Sequence, residues 1–398
     1  MSEKAAVQRQ ISLEFAPSAA EPERKPRQFR DSLSAVELVD DGRTVFVGVD
    51  ETVNTTPTIE RLSWDGSGYA AHEPLAIEDF LALRNGKPKK GRVPEIDIEG
   101  LAVCDSFLWV VGSHSSARKK PKHRSVEEDL ERLARVEFNQ NRVLLGRIPL
   151  VASGEGTTLA KHDGERRSAQ LVEDLREMLC DDALLGPYVR TFVNGRGDRV
   201  SIPGKDNGFD IEGIVVRPGS DGASRVFLGL RGPVLRGWAT ILEISVVEGD
   251  KPSHLILGPV GSGSSSSGKS KNDARYYKHL LHLDGLGIRD MRADGDDLLL
   301  LGGPTMTLDG HVAIYRWRDA LLPGSGDTLT DLEPGRLEQV LALPCGRGED
   351  RPEGFMRLSS GELFVVYDSP AEARLSGEHG VLADVFAFPN ALPVPHPA

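Results

Sequence analysis

A five-residue acidic motif occurs twice in this chain. Its copies are residues 97–101 (DIEGL) and 210–214 (DIEGI). Side chains two positions apart in a β-strand lie on the same face, so each copy would present its aspartate and its glutamate to one side. Several carboxylates on one surface make the oxygen-rich site that calcium or magnesium prefers. The motif therefore predicts a polar, charged functional site.

Weaker copies of the motif lie at residues 32–36, 287–291 and 351–355. Each copy leads through a turn into an apolar run, and these runs are 44–48, 107–112, 226–229, 298–302 and 363–367. A strand–turn–strand unit repeated at wide spacing is typical of a radial or stacked architecture. When the five copies are aligned, their third position holds Ser34, Glu99, Glu212, Arg289 and Glu353.

These repeats predict an all-β fold, a five-bladed β-propeller in which each copy begins the innermost strand of a blade. The long interval between Glu99 and Glu212 leaves room for a sixth blade, but its sequence favours a partly helical insertion at about residues 115–205. A capping box from Ser125 to Glu128 predicts a helix over 125–134, and apolar spacing predicts another over 169–179.

The N-terminal segment has a place in this fold. Residues 10–15 alternate as a half-buried strand does. They would complete the last blade and close the ring, which removes exposed sheet edges. The expected organisation is an N-terminal strand and linker over 1–30, the propeller over 31–390 and a C-terminal tail over 391–398.

In a propeller, the starts of the innermost strands meet at one mouth of the central channel. If Glu99, Glu212 and Glu353 line this ring, three carboxylates converge on a site for calcium or magnesium. Arg289 occupies the equivalent position of another blade and favours a second interpretation, an ion-pair network between blades. The sequence leaves both interpretations open.

Further candidates are predicted on the same face, and His114, Asp210 and Arg289 are the catalytic ones. The unperturbed pKa of a histidine lies near neutrality, so His114 would suit a general base. The alternative for His114 is a hydrogen bond to the backbone at a strand end. Mixed carboxylates and guanidinium groups suit a small anionic molecule. The ligand-binding candidates are Lys205, Asn207, Arg231, Arg236, Arg351, Tyr367 and Asp368.

The composition argues against several functions. The 398 residues are 39% hydrophobic and 27% charged, as in a soluble globular protein. Lys+Arg 48 against Asp+Glu 60 gives a net charge of −12, which disfavours general binding to nucleic acids or anionic membranes. Three distant cysteines predict no disulfide framework. No membrane span or signal peptide is predicted, a cytoplasmic location is expected, and the oligomeric state stays open.

Residues 263–270 (GSSSSGKS) match the phosphate-loop pattern. A phosphate loop requires a parallel strand that feeds a tight turn and then a helix. Here the pattern lies in the glycine- and serine-rich run 261–270, between two propeller-type repeats. We therefore expect a loop between strands and no nucleotide cofactor.

Several longer stretches resemble the uncharacterised bacterial domain-of-unknown-function family 3616. They include 202–215 (IPGKDNGFDIEGIV), 227–238 (FLGLRGPVLRGW), 302–306 (GGPTM) and 366–370 (VYDSP), and the likeness spans about residues 30–390. The resemblance implies a β-propeller of unassigned activity. A looser likeness, confined to the DIEG elements, is to the propeller domain with phytase-like esterase activity. That likeness implies calcium and an ester or phosphoester substrate.

Two functions follow as hypotheses. The first is a metal-assisted hydrolase of a small anionic ester or phosphoester. Its divalent cation would bind Glu99, Glu212 and Glu353 and lower the pKa of a bound water. His114 would assist proton transfer, Arg231 and Arg236 would hold the anion, and Arg289 would orient a carboxylate or contact the substrate. The second is a non-catalytic propeller that acts as an interaction scaffold or small-ligand sensor.

Overall fold

The computed structural model describes residues 4–17, 28–51, 53, 56–85, 93–154, 156–220, 222–260 and 274–388. Strands make up 50% of it and helices are few, which confirms the all-β class. The phosphate-loop pattern at 263–270 and the tail at 391–398 lie outside the described residues. Within the described ranges, no helix is long and apolar enough to cross a membrane.

The chain begins with one strand, β1, and a four-stranded antiparallel meander, meander A, which pairs in the order β2-β3-β4-β5. The second strand of meander A is apolar at most positions because it is buried on both faces. The bounds are β1 Val7–Glu14, β2 Leu33–Val39, β3 Thr44–Val49, β4 Thr58–Trp64 and β5 Tyr69–Ala76.

Meander B pairs in the order β6-β7-β10-β14, and short hairpins and a helix interrupt it. The elements in chain order are β6 Ile98–Cys104, β7 Phe107–Gly112, β8 Ser116–Arg118, α1 Val126–Leu133, β9 Val136–Phe138, β10 Leu145–Ser153, β11 Gly156–Leu159, β12 His162–Asp163, β13 Arg166–Arg167 and β14 Ala169–Leu171. Two short helices and a hairpin follow, α2 Leu175–Leu179, α3 Gly186–Val189, β15 Phe192–Val193 and β16 Arg199–Val200.

Meander C pairs β17-β18-β19, and β20 and β21 share the far edge of β19. Meander D pairs β22-β23-β24-β26. Their strands are β17 Asp210–Pro218, β18 Ser224–Gly232, β19 Trp238–Glu248, β20 His254–Gly258, β21 Tyr276–His282, β22 Gly287–Asp294, β23 Asp297–Gly303, β24 Ala313–Trp317, β25 Thr328–Thr330 and β26 Leu337–Ala342.

Meander E contains the last strands of the chain and also the first one. Strand β1 pairs antiparallel with β30, so the order is β27-β28-β30-β1. The sequence predicted a strand over 10–15, and the structure extends it to Val7–Glu14. The remaining bounds are β27 Arg351–Arg357, β28 Leu363–Asp368, β29 Leu375–Ser376 and β30 Gly380–Phe386.

The first strands of the five meanders contact one another in the cyclic order β2, β6, β17, β22, β27 and back to β2. One hydrophobic cluster lies between each pair of neighbouring meanders of the described chain. Representative pairs across these clusters are Phe46 and Leu108, Trp109 and Leu228, Phe227 and Tyr315, Leu301 and Phe355, and Val366 and Val47.

Each first strand carries a β-bulge at the same place. The register shifts at residues 33/35, 98/100, 211/213, 288/290 and 352/354. A bulge leaves one residue unpaired and re-aims its side chain. These unpaired residues, called the bulge residues below, are Ser34, Glu99, Glu212, Arg289 and Glu353.

A buried arginine, Arg292, lies among the first strands. Its guanidinium donates to the carbonyl oxygens of Val36 at 2.6 Å, Met291 at 2.7 Å and Phe355 at 2.8 Å, and to that of Leu101 at 3.3 Å. These carbonyls belong to the first strands of meanders A, D, E and B. One side chain therefore joins four first strands.

The region around 115–205 is less helical than expected. The predicted helix with its capping box is confirmed, since α1 follows Ser125, whose Oγ accepts from the Glu128 backbone N–H at 3.2 Å. The predicted helix over 169–179 is half wrong. Residues 169–171 form β14, which pairs with β10 and β20, and α2 begins only after its cap residue Asp174. Strand pairing there prevails over the helical spacing.

Candidate functional site

The bulge residues bring their side chains to one cavity, called the mouth pocket below. Its volume is about 60 Å³, and a loop of meander D, residues 304–310, forms part of its wall. The site candidates and neighbouring polar residues that line it are Ser34, Asp50, Glu99, Lys205, Glu212, Arg231, Arg289, Arg351, Glu353 and Asp368.

A chain of ion pairs crosses the mouth pocket. Glu212 Oε1 accepts from Arg231 Nη1 at 2.6 Å. Glu212 Oε2 lies 2.9 Å from Arg289 Nε, although neither of these two atoms has hydrogen-bond alignment. Arg289 Nη2 donates to Glu353 Oε1. Burial would raise the pKa of Glu212, but Arg231 and Arg289 outweigh it and lower that pKa.

The two arginines are also bonded to the loop at 304–310. Arg231 Nε donates to the Thr305 carbonyl oxygen at 2.7 Å, and Arg289 Nη1 donates to that of Pro304 at 3.3 Å. Since both guanidinium groups hold carboxylates and backbone carbonyls at once, their positions are fixed by several contacts each. The ion-pair interpretation of the ring accounts for these contacts.

The three glutamates do not fit a calcium or magnesium site. Arg289 lies between Glu212 and Glu353, so a cation that needed both carboxylates would meet a guanidinium group. No group of three or more His, Cys, Asp or Glu side chains in the described parts of the chain is arranged to hold a metal ion. The donor set is that of an ion-pair network.

Glu99 differs from the other two glutamates. It lines the mouth pocket, is 8% exposed, and makes no hydrogen bond or ion pair with any described residue. Burial and the neighbouring carboxylates of Glu212, Asp97 and Asp210 raise its pKa well above the ordinary value. The side chain therefore favours the protonated form in this pocket.

Two aspartates share this environment. Asp50 lines the pocket at the end of β3, and burial together with Asp97 and Asp368 raises its pKa, while Lys205 opposes the rise. Asp210, a predicted catalytic residue, is not among the residues that line the pocket, and burial and Glu212 raise its pKa to about 7. One carboxylate oxygen of each aspartate is buried without a hydrogen-bond partner in the described chain.

Asp97 pairs with Arg142 and does not line the mouth pocket beside Glu99, although the motif spacing predicted that the two side chains point together. Its backbone adopts a φ of 63°, and its carboxylate lies 3.0 Å from Arg142 Nη1. Arg142 also pairs with Glu95 at 2.7 Å. The left-handed residue and the bulge after it interrupt the strand alternation on which the expectation depended.

His114 is not brought to the mouth pocket. Its Nε2 lies 3.3 Å from the Leu144 carbonyl oxygen, and its Nδ1 is buried without a partner among the described residues. Burial lowers its pKa to about 4, so the ring is neutral near pH 7. The structure agrees with the alternative interpretation, a histidine bonded to backbone at a strand end, and leaves the ring out of reach of the pocket as a general base.

Three ligand-binding candidates also lie elsewhere. The Asn207 side chain clamps a turn, because its Oδ1 accepts from the Val234 N–H at 2.9 Å. Arg236 is exposed in the turn before β19. Tyr367 is 1% exposed, and its hydroxyl donates to Asp384 at 2.8 Å inside meander E. By contrast, the candidates Lys205, Arg231, Arg351 and Asp368 line the mouth pocket.

Some residues of this site were not among the predicted candidates. Asp50 directly follows β3 and is one of them. The loop at 304–310 carries no motif, yet it lines the pocket. Cys345 also lines it, and its Sγ donates to the Gly310 carbonyl oxygen at 3.1 Å. Only Asp50 had a usable signal, since it follows an apolar strand as Asp368 does.

The model of the family described as "Protein of unknown function (DUF3616)" matches residues 32–384. The chain belongs to this family. The match confirms the resemblance carried by the stretches at 202–215 and 227–238, and the description of DUF3616 assigns no activity. No curated protein matches the chain in sequence.

Solved structures similar to this DUF3616 chain are distant. A putative oxidoreductase (glucose dehydrogenase) from Thermus thermophilus has 13% identity and a TM-score of 0.35, over 95% of this chain and 100% of that one. A Trichoderma reesei protein of Carbohydrate-Active Enzymes Family AA12 has 11% identity and a TM-score of 0.35, over 96% of each chain. The phage phi92 endosialidase has 9% identity and a TM-score of 0.35, over 96% and 69%. Likenesses this weak carry no functional argument.

Proposed function

We propose that the mouth pocket is the active site of a hydrolase that cleaves a small polar ester by acid–base catalysis, without a metal ion. The observation that carries this proposal is Glu99, a pocket-lining carboxyl group that no described residue pairs. Buried acids with strongly perturbed pKa values concentrate at functional sites. Glu212 and Glu353 are held in place by arginines and take no part in the proton transfer.

Glu99 and Asp50 divide the proton transfers. Four carboxylates raise the pKa of Glu99 in addition to burial, so it holds its proton and donates it to the leaving alkoxide. Lys205 favours the ionised form of Asp50, and Asp50 takes a proton from the attacking water. Water adds to the ester carbonyl carbon, the carbon–oxygen bond to the alcohol breaks, and an acid and an alcohol leave. Lys205 stabilises the negative charge on the carbonyl oxygen.

The charges of the pocket favour an uncharged or cationic substrate over the anionic one expected from the sequence. Six carboxylic acids and four basic side chains line it, and Arg231 and Arg289 are already bound to carboxylates. A phosphoester would bring further negative charge beside Glu99 and Asp50. An ester of a neutral alcohol or of a quaternary amino alcohol avoids that repulsion.

The test is hydrolysis by the purified chain of 4-nitrophenyl acetate, acetylcholine and 4-nitrophenyl phosphate. We expect turnover of the first or second substrate, no effect of chelator, and a loss of about 100-fold or more in Glu99→Gln and Asp50→Asn. Asp250→Asn removes an exposed acid elsewhere and should leave the rate unchanged. No turnover of either uncharged or cationic ester, or a fully active Glu99→Gln, would refute the proposal.

A second candidate, a small-ligand sensor, has one observation in its favour. The mouth pocket of about 60 Å³ is small, and two arginines tie the wall loop at 304–310 to the glutamates. A site of this kind could hold a small molecule and move the loop without reacting. A melting temperature raised by acetylcholine or by a neutral ester that is not hydrolysed would support the sensor.

We also infer that meanders A to E are the blades of one five-bladed β-propeller. The elements between β7 and β17 that are not part of meander B form its insertion. The cyclic contacts of the first strands and the five hydrophobic clusters between neighbours support this arrangement. Five equivalent bulges support it as well. A crystal structure with any other number of blades would refute it.

A further inference from the structure

Arg176 is an exception among the buried arginines. Seven arginines are buried in the described chain, and six of them lie within 4.0 Å of an aspartate or glutamate oxygen. Arg176 has no such partner among the described residues. Buried charges are normally paired, because removing a cation from water is costly. The six paired ones are Arg142, Arg231, Arg289, Arg292, Arg316 and Arg374.

The contacts of Arg176 are all neutral. Its Nη2 donates to Ser201 Oγ at 2.9 Å and to the Val189 carbonyl oxygen at 3.2 Å, while Nε has no partner within the described ranges. The guanidinium carbon lies 4.4 Å from the centre of the Phe138 ring. Asp174 caps α2 by accepting from the Arg176 backbone N–H at 2.8 Å and makes no ion pair with the guanidinium. The charge of Arg176 is therefore left without a direct counterion.

A cavity of about 300 Å³ lies beside this guanidinium, and we call it the insertion cavity. The insertion cavity shares no lining residue with the mouth pocket. It is formed by residues of β8, β9, α2 and β16. Arg176, Arg199 and the hydroxyls of Ser116 and Ser201 supply polar groups, and Val136 and Phe138 supply apolar walls. A volume of this size suits a small organic molecule.

We propose that the insertion cavity binds a small monocarboxylate, with its carboxylate on Arg176 and its apolar body against Phe138 and Val136. Because Nη2 already donates to Ser201 and Val189, the carboxylate binds the guanidinium at Nη1 through a charge-assisted hydrogen bond. Asp174 and Glu177 also line the cavity, and their charges oppose a dianion such as phosphate. The site is independent of the ester hydrolase proposed for the mouth pocket.

Calorimetric titration of the full chain with benzoate tests this site. We expect benzoate to bind. Benzyl alcohol, benzylamine and inorganic phosphate should each bind at least about tenfold more weakly, since none of them offers a monocarboxylate to the charged hydrogen bond of Arg176. Arg176→Met should weaken benzoate binding about 10- to 100-fold. Arg336→Gln removes an exposed arginine in the turn before β26, away from the cavity, and should bind benzoate as the native chain does.

A second variant keeps the test decisive if Arg176→Met does not fold. Arg176→Lys retains the charge but loses the planar fork, and it should weaken benzoate binding about tenfold. Melting curves of each variant without ligand identify any folding defect. The proposal is overturned if benzoate does not bind the native chain, if benzyl alcohol binds equally well, or if folded Arg176 variants bind benzoate unchanged.

Discussion

Arg289 Nε lies 2.9 Å from Glu212 Oε2, so a cation of meander D is placed against a carboxylate of meander C. The same guanidinium reaches Glu353 of meander E. Three of the five bulge residues are thus joined by one side chain. This relationship explains why a ring that is rich in glutamate is an ion-pair network, and why Glu99, on the far side of Glu212, is left unpaired.

Arg289→Met should destabilise the protein by about 3–5 kcal/mol, because it leaves two buried carboxylates without their shared cation. Unfolding in urea measures this loss. Arg9→Met is the matched control, since Arg9 forms an exposed pair with Glu362 and such pairs contribute at most about 1 kcal/mol. Equal losses in the two variants would contradict the role assigned to the network.

Gly213→Ala should cost about 1–3 kcal/mol through overpacking. A Cβ at this position would lie 3.0 Å from Met291 Cγ and 3.1 Å from the Met291 backbone N, in the first strand of the next meander. Gly324→Ala serves as the control, since nothing lies within 4 Å of its added Cβ. Thermal or urea unfolding compares them, and a neutral Gly213→Ala would show that the first strands are less closely packed.

Stability should decrease as the pH rises from about 4.5 to about 7 through the buried carboxyl of Glu37. Burial raises its pKa from 4.5 to about 7, and Asp290 adds to the rise while Arg292 opposes it. In this window the folded chain binds a proton that the unfolded chain has lost, so the free energy of unfolding falls with pH. Below the window both states are protonated, and the contribution is fully present.

Glu37→Gln isolates this contribution, since the amide does not titrate. The free energy of unfolding in urea, measured near pH 5 and pH 8, should fall less in Glu37→Gln than in the native chain. Asp290, whose pKa burial raises to about 7, should give the variant a remaining decline of the same sign. Parallel losses in both proteins would rule out Glu37 as the source.

Trp109→Ala should cost about 3–5 kcal/mol. Trp109 is 1% exposed and belongs to the cluster between meanders B and C. Trp64, which is 40% exposed, provides the comparison, and Trp64→Ala should cost clearly less. Chemical unfolding measures both, and a loss below about 1 kcal/mol at Trp109 would mean that this strand is not a core strand.

The sequence predicted the structure best where it depends on the residues of a single strand and its turn. The apolar run predicted at 107–112 has the bounds of β7, and the aligned third motif positions are the five bulge residues. Residues 169–171 were misassigned because their pairing partners, β10 and β20, lie far away in the chain.

The site was harder to predict because its contacts cross between meanders. Side-chain direction at Asp97 and Asn207 is set by left-handed backbone, with φ of 63° at each, which strand alternation does not anticipate. His114 follows the expected strand but turns to the Leu144 carbonyl. Glu99, Glu212 and Glu353 all line the mouth pocket, yet their partners depend on how neighbouring strands pack, and local spacing does not contain that information.

The pairing of β1 with β30 means that this sheet is completed only after β30 has been synthesised. Gln10 Nε2 donates to Asp384 Oδ1 across 374 positions of the chain, so β1 leaves the ribosome well before its partner strand β30 has been made. Until β30 has been made, the backbone N–H and C=O groups of β1 lack their partner strand, and β1 is able to pair with a strand of another molecule. The exposed, polar first half of β1 offers protection during that wait, since charged and amide side chains discourage pairing with the wrong neighbour.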